Sequence, residues 1–221
     1  MIPVIALVGR PNVGKSTLLN ALTDADVLVE DKLFATLDST TRSLNLDPKE
    51  KILISDTVGF IRKLPPNLVA SFKSTLNEVR DADIILHIID LSHSYYEDHL
   101  KIVEDTLKEF GSEHKKEIMV FNKVDLVKGK SKIEYVRNTY PESVIISAQK
   151  GINISLLIQM IENTIEESFV EEELTIGIEQ TKLASQIHDL AEVTSVIYNH
   201  DTVLFKYKAN KENSEKIKKL F

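Results

Sequence analysis

Apolar runs and helical stripes alternate along the first 170 residues. Ile2 to Val8 is a short, continuous apolar run that reads as a buried strand, followed by a glycine-containing loop and a helix from about Lys15 to Thr23. Leu44 to Leu46 and Lys51 to Ser55 predict two strands joined by a turn at Asp47-Pro48. Leu68, Phe72, Leu76 and Val79 line one face of a helix ending near Arg80. Ile84 to Ile89 is again a solid apolar strand, and Tyr96 to Phe110 a helix for which Gly111 suits the C-terminal cap. Glu117 to Phe121 and Ser143 to Ile146 predict two more buried strands, and Ile152 to Ile165 the last helix of the series. Strands alternating with helices predict an α/β fold, with a mostly parallel sheet covered by helices on both faces.

The pattern changes near Glu171. The run Glu171-Glu172-Glu173 reads as a solvated boundary, since blocks of like charge face water. Beyond it, Leu174 to Ile178 predicts a strand, and Lys182 to Ala191 a helix striped by Leu183, Ile187 and Leu190. Val193 to Tyr198 and Thr202 to Lys208 flank Asn199-His200-Asp201 as a hairpin, and a lysine-rich helix closes the chain. The division expected is a domain of residues 1–170 and a small α+β C-terminal domain of 171–221, the latter short for independent stability.

Composition narrows the function classes. The 221 residues are 43% hydrophobic and 28% charged, as in soluble globular chains. No apolar run reaches the roughly 18 residues of a membrane span, so no membrane partner is expected. There is no cysteine, which excludes disulfides and thiolate metal sites. With no export signal in the opening residues, a cytoplasmic protein is expected, and a monomer. The net charge of -7 argues against a broad electrostatic footprint for nucleic acid.

The chemistry begins at Gly9-Arg10-Pro11-Asn12-Val13-Gly14-Lys15-Ser16, which fits the phosphate loop G-x-x-x-x-G-K-[ST], with Thr17 following. Its glycines let backbone amides point at a phosphate, at the positive end of a helix. Lys15 is assigned to the β- and γ-phosphates and the Ser16 hydroxyl to magnesium. The base is read from Asn122-Lys123-Val124-Asp125, directly after a strand. A carboxylate at Asp125 can accept from guanine N1-H and the exocyclic amine, a donor pair that adenine lacks. Ser147-Ala148-Gln149, after the next strand, would supply an amide to guanine O6. In Asp56-Thr57-Val58-Gly59 the carboxylate would hold magnesium through water and the Gly59 amide would sense the γ-phosphate. A threonine completing the magnesium shell is sought among Thr36, Thr40 and Thr41, and Thr36 is chosen.

The stretches "DKLFATLDSTTR" (31–42), "DTVGFIRKLPPNLVASFKSTLNEVRDADIILHIID" (56–90) and "NKVD" closely resemble HflX-type GTPases of the Obg-HflX group of translational GTPases. The resemblance spans about 1–170 and, less specifically, the tail. It implies a P-loop GTPase domain, GTP or GDP with magnesium, a cytoplasmic setting and the large ribosomal subunit as partner. It implies magnesium ligation by Thr36, with Phe34 and Ala35 beside it at the nucleotide. Two departures stand out. HflX proteins usually carry an N-terminal domain ahead of the GTPase, and "GRPNVGKST" is worded more like the loop of Era and Der GTPases.

Where Ras-type GTPases carry a water-positioning glutamine, this chain has Phe60. Slow hydrolysis is therefore expected, with the missing group coming from one of three sources. A partner surface such as the ribosome leads, followed by Arg62 or Lys63 in cis. The third is potassium, which related GTPases hold with an asparagine at the place of Asn12; Lys15, Asn12 and Gly59 are thus the catalytic candidates. Rival readings are a regulatory nucleotide-binding module without useful hydrolysis and an Era-like ribosome-assembly GTPase, although the tail lacks the G-x-x-G loop of a KH domain. His87 reads as a satisfied core residue, Tyr95 and Tyr96 as packing, and Lys128 to Lys132 as a solvated loop with rRNA contact as the lesser reading.

Overall fold

A strand whose two faces are both covered has no solvent side, so its residues are apolar without alternation. That rule explains the centre of the molecule. In the computed structural model, which describes residues 2–23, 40–47, 50–57, 59, 78–109, 111–112 and 114–220, strand β1 (Val4–Gly9) is flanked by β3 (Glu50–Asp56) and β4 (Ile84–Asp90). With β2 (Thr40–Asp47), β5 (Lys116–Asn122) and β6 (Val144–Ile145) they form one sheet ordered β2-β3-β1-β4-β5-β6. Only the β2–β3 pair is antiparallel. The mostly parallel α/β sheet is as expected, with β2 starting at Thr40 rather than Leu44.

Helix α1 (Lys15–Thr23) buries Leu18, Leu19 and Leu22. Helix α2 (Tyr96–Glu109) sets Val103 and Leu107 against Ala6, Val8 and Ile85 of the sheet, where each buried side chain contributes about 1.5–3 kcal/mol. It ends at Gly111 (φ 63), whose N–H donates to the Lys108 carbonyl while Ser112 N–H donates to that of Leu107. The stripe Leu68, Phe72 and Leu76 lies outside the described residues, but residues 78–81 are helical and Val79 is buried.

A helix absent from the sequence expectation, α3 (Ser131–Thr139), occupies part of the presumed lysine loop. Val136 is fully buried and Ile133 packs beside it, in a cluster with Tyr96, Phe121 and Ile145. Lys132 is correspondingly anchored: its Nζ donates to the His93 carbonyl at 3.0 Å and lies 4.7 Å from the centre of the Tyr96 ring. The last helix of the series, α4, is Ile154–Ser168.

The chain divides into two compact units between Glu162 and Asn163, within α4. In the second, β7 (Phe169–Gly177), β8 (Glu192–Tyr198) and β9 (Thr202–Asn210) form an antiparallel sheet ordered β7-β9-β8, with α5 (Ala184–Leu190) and α6 (Lys211–Leu220). The alternation along β9 puts Val203, Phe205, Tyr207 and Ala209 into a core shared with Ile176, Ile187 and Ile217. The acidic run is corrected here. Glu171, Glu172 and Glu173 lie inside β7, not at a boundary, because positive side chains face them. Glu171 stands opposite Lys208, Glu172 pairs with Lys218 of α6 at 2.8 Å, and Glu173 with Lys206 at 2.5 Å.

Candidate nucleotide-binding site

In a parallel sheet the carboxyl ends of the strands lie along one edge, and the polar residues of this unit gather there. Gly9 closes β1, Asp56 β3, Asp90 β4 and Asn122 β5, and Ser147 follows β6. The loop from Gly9 to Ser16 leaves β1 and enters α1, with Lys15 buried and Thr17 in the first helical turn. The Lys15 Nζ donates to the Arg10 carbonyl at 3.2 Å. Burial pushes its pKa below the usual lysine value, against the pull of the Asp56 charge. A buried ammonium in that condition gains from an anion placed beside it.

The Ser16 hydroxyl donates to Asp56 Oδ2 at 2.5 Å. A hydroxyl and a carboxylate in contact are the hard oxygen donors magnesium takes, so this pair fits the ion. Gly59 is buried against the loop: a Cβ there would lie 2.6 Å from the Pro11 nitrogen, so the chain after β3 touches the chain after β1. Thr57 turns its hydroxyl inward to the Leu7 carbonyl, also at 2.5 Å, leaving only its backbone for a ligand. The Thr41 and Ser55 hydroxyls share a hydrogen bond at 2.8 Å. Phe34, Ala35, Thr36, Val58, Phe60, Arg62 and Lys63 lie outside the described residues.

Asn122 ties the site together. Its Nδ2 donates to the Val13 carbonyl at 2.9 Å and its Oδ1 accepts from the Ala148 N–H at 3.0 Å. The side chain is buried and spans from the phosphate loop to the segment after β6. Gly14 (φ 96) makes room for it, since a Cβ there would collide with the Asn122 amide nitrogen. Lys123 (φ 65) reaches the same loop, its Nζ donating to the Asn12 carbonyl at 2.7 Å. Because a peptide unit is planar and trans, fixing the carbonyls of Asn12 and Val13 also fixes the opposed N–H groups of Val13 and Gly14. Two residues of the guanine motif thereby orient two consecutive amides of the phosphate loop.

Asp125 sits in a short helical turn, Val124–Leu126, and is exposed. Ser147 accepts the Lys150 N–H on its hydroxyl at 3.1 Å, Ala148 is buried and Gln149 is exposed. The expected segments that lie among the described residues are thus brought to one edge by the sheet. Asp90 was missed: its Oδ2 pairs with Lys123 Nζ at 2.8 Å. The available signal was an acid ending an apolar strand, the position Asp56 holds on β3. His87 is the core residue expected, buried with Nδ1 2.8 Å from Glu117 Oε1. Among the described residues no group of three or more His, Asp or Glu side chains is placed to hold a metal ion, and no helix is long and apolar enough to cross a membrane.

Known proteins resemble this chain in sequence and fold. The family described as 50S ribosome-binding GTPases matches residues 4–123. The GTPase HflX of Caldanaerobacter subterraneus is 40% identical over 220 residues, covering 98% of this chain and 49% of that one. The GTPase HflX of Flavobacterium psychrophilum is 57% identical over 124 residues, 56% of this chain and 30% of the relative. The crystal structure of Aquifex aeolicus Era bound to GDP and aluminium fluoride superposes with a TM-score of 0.64 at 28% identity, over 73% of this chain and 56% of that one. This chain spans about half the length of the HflX relative it matches end to end. The match over more than half the chain carries the conclusion: the protein belongs to the 50S ribosome-binding GTPase family and, within it, to the HflX type.

Proposed function

We propose that this chain binds GTP and GDP with magnesium and hydrolyses GTP to GDP and phosphate, slowly when alone, as a switch acting with the large ribosomal subunit. The observation that carries the reading is the Asn122 bridge, which holds the phosphate loop and the base-recognition segment in one frame. In this reading the unit ending at Glu162 binds the nucleotide, and the unit that follows, expected from the sequence as 171–221, forms the small C-terminal domain. The amides of the loop from Gly9 to Ser16 cradle the phosphates and Lys15 lies on the β- and γ-oxygens. Ser16, Asp56 and Thr36 hold magnesium, which when bound would neutralise charge on the phosphate oxygens. Phe34 and Ala35 flank the nucleotide, Gly59 senses the γ-phosphate, and Asp125 with the Ala148 and Gln149 backbone selects guanine. The ribosomal partner rests on the family description, and rRNA contact and a cytoplasmic setting are expectations that go with it.

Phe60 after Gly59 explains the slow rate, since even glutamine-bearing small GTPases turn over at roughly 10⁻⁴ s⁻¹ unaided. The trigger is then the partner surface, or potassium held at Asn12. Binding of fluorescent GTP, GDP and ATP in magnesium, followed by single-turnover GTP hydrolysis with and without large subunits, tests the reading. Guanine selectivity and subunit-stimulated cleavage are expected. Equal affinity for ATP would overturn it, and tight GTP binding with no cleavage in either condition would favour a regulatory binding module. Equal turnover in potassium and sodium chloride would remove the potassium role alone.

A further inference from the structure

We propose that Asp90 is a positioning residue for the nucleotide, acting through Lys123 on the backbone of Asn12; this rests on the guanine-nucleotide reading above. A lysine ammonium is a compact charge on a flexible stem, and holding it in one place costs about 2 kcal/mol of rotamer freedom. Lys123 nevertheless makes two directed contacts, to the Asn12 carbonyl at 2.7 Å and to Asp90 Oδ2 at 2.8 Å. The Asp90 carboxylate is itself oriented, because its Oδ1 accepts both the N–H and the hydroxyl of Ser92, at 2.9 and 2.6 Å. Both charges are partly withdrawn from solvent, with side-chain exposures of 14% for Asp90 and 29% for Lys123, so the pair is less screened than a fully exposed ion pair.

What the pair holds is an unusual stretch of backbone. Asn12 (φ 62) and Lys123 (φ 65) are both non-glycine residues in the left-handed region, a conformation that costs on the order of 1–2 kcal/mol and persists where surroundings determine it. The ammonium of one seats on the carbonyl of the other, and Asp90 holds that ammonium through its Oδ2. With Asp90 removed, Lys123 loses its anchor, the Asn12 peptide is free to rotate, and the Val13 N–H leaves the orientation in which it meets a phosphate. The acid ending β4 thus completes a relay from the centre of the sheet to the phosphate loop. Burial tends to raise the Asp90 carboxyl, but the hydrogen bonds and charge of Lys123 and the hydrogen bonds of Ser92 outweigh it and hold it below the usual carboxylate range. The acceptor therefore stays ionised at neutral pH.

The test is release of fluorescent GDP by stopped flow from the full chain, comparing wild type, Asp90→Ala, Lys123→Ala and the double variant. Asp90→Ala is expected to release GDP about tenfold faster. Asp90→Asn, keeping a neutral acceptor, should fall between it and wild type. In the Lys123→Ala background, adding Asp90→Ala should change release less than twofold. Release from Asp90→Ala within twofold of wild type overturns the inference. So do multiplicative effects in the double variant, which would mean that Asp90 acts on the loop through Ser92 or the fold at large. If Asp90→Ala does not fold, Asp90→Asn with and without Lys123→Ala gives the same cycle. Wild-type protein that fails to bind GDP overturns the nucleotide reading together with the relay, whereas intact binding with unmoved variants overturns the relay alone.

Discussion

In the first unit Lys15, Asp56, Asn122 and Ser147 are buried together at the ends of one sheet, whereas in the second the acids of β7 and the lysines of β9 and α6 meet at the surface. Withdrawing a polar group from water costs about 1–3 kcal/mol unless a partner replaces the lost hydrogen bonds. The first unit offsets that cost with hydrogen-bond partners: Ser16 on Asp56, Lys15 on Arg10, Asn122 on Val13 and Ala148. A fold accumulates such groups where a charged ligand benefits from a pre-oriented, weakly screened setting. Exposed pairs such as Glu173–Lys206 contribute about 0–1 kcal/mol, so the second unit is held by its apolar core. The buried polar groups described above thus gather in the first unit, and the ion pairs of the second lie at its surface.

The sharpest way to break that contrast is Lys15→Ala, which removes the buried cation of the loop from Gly9 to Ser16. GTP affinity should fall at least about 1,000-fold, on the order of 4 kcal/mol, while the thermal transition of the nucleotide-free protein holds or rises, because a buried ammonium is gone. Titration calorimetry with GTP checks the first part and calorimetric unfolding the second. Phe205→Ala should do the converse, costing about 3–5 kcal/mol in unfolding of the second unit and leaving the Kd for GDP within twofold. A tenfold loss of GDP affinity in that variant would end the claim that the units divide labour.

Asn122→Ala should damage both stability and binding, because it leaves the Val13 carbonyl and the Ala148 N–H without their partner. About 2–3 kcal/mol of stability and a tenfold or greater loss in GDP affinity are expected, read by denaturant unfolding and fluorescence titration. Acid should reveal Asp90. A carboxyl whose folded pKa lies below its unfolded value contributes stability that is complete above about pH 4 and is lost as pH falls through the folded value. The difference in Tm between wild type and Asp90→Asn should therefore be constant from pH 5 to 8 and shrink below about pH 4. The smallest effect belongs to Glu173→Gln, at about 0.5 kcal/mol or less, vanishing in high salt. A loss above about 2 kcal/mol would mean that the surface pairs hold the second unit after all.

Much of this was legible in the chain. The loop from Gly9 to Ser16, the Asn122 motif and the apolar strands are local patterns, in which neighbouring residues suffice to state the chemistry and the element. The acidic run and α3 were not legible, for a shared reason. Glu171 to Glu173 become a strand because Lys206, Lys208 and Lys218 face them, and Ser131–Thr139 becomes a helix because Val136 finds a pocket beside Phe121 and Ile145. In each case the deciding contact comes from another element of the fold, and local charge points the other way.

By itself, then, the order of residues determined the apolar strands and the phosphate-loop and Asn122 patterns, and it raised the expectation of phosphate, magnesium and guanine chemistry at them. Only the tertiary structure decided that Asn122 would clamp Val13 to Ala148, and that Asp90 would meet Lys123 above the Asn12 carbonyl. The physical reason is that parallel pairing aligns the carboxyl ends of β1, β3, β4, β5 and β6 along one edge. Residues dozens of positions apart come within 3 Å there, a proximity no local pattern encodes.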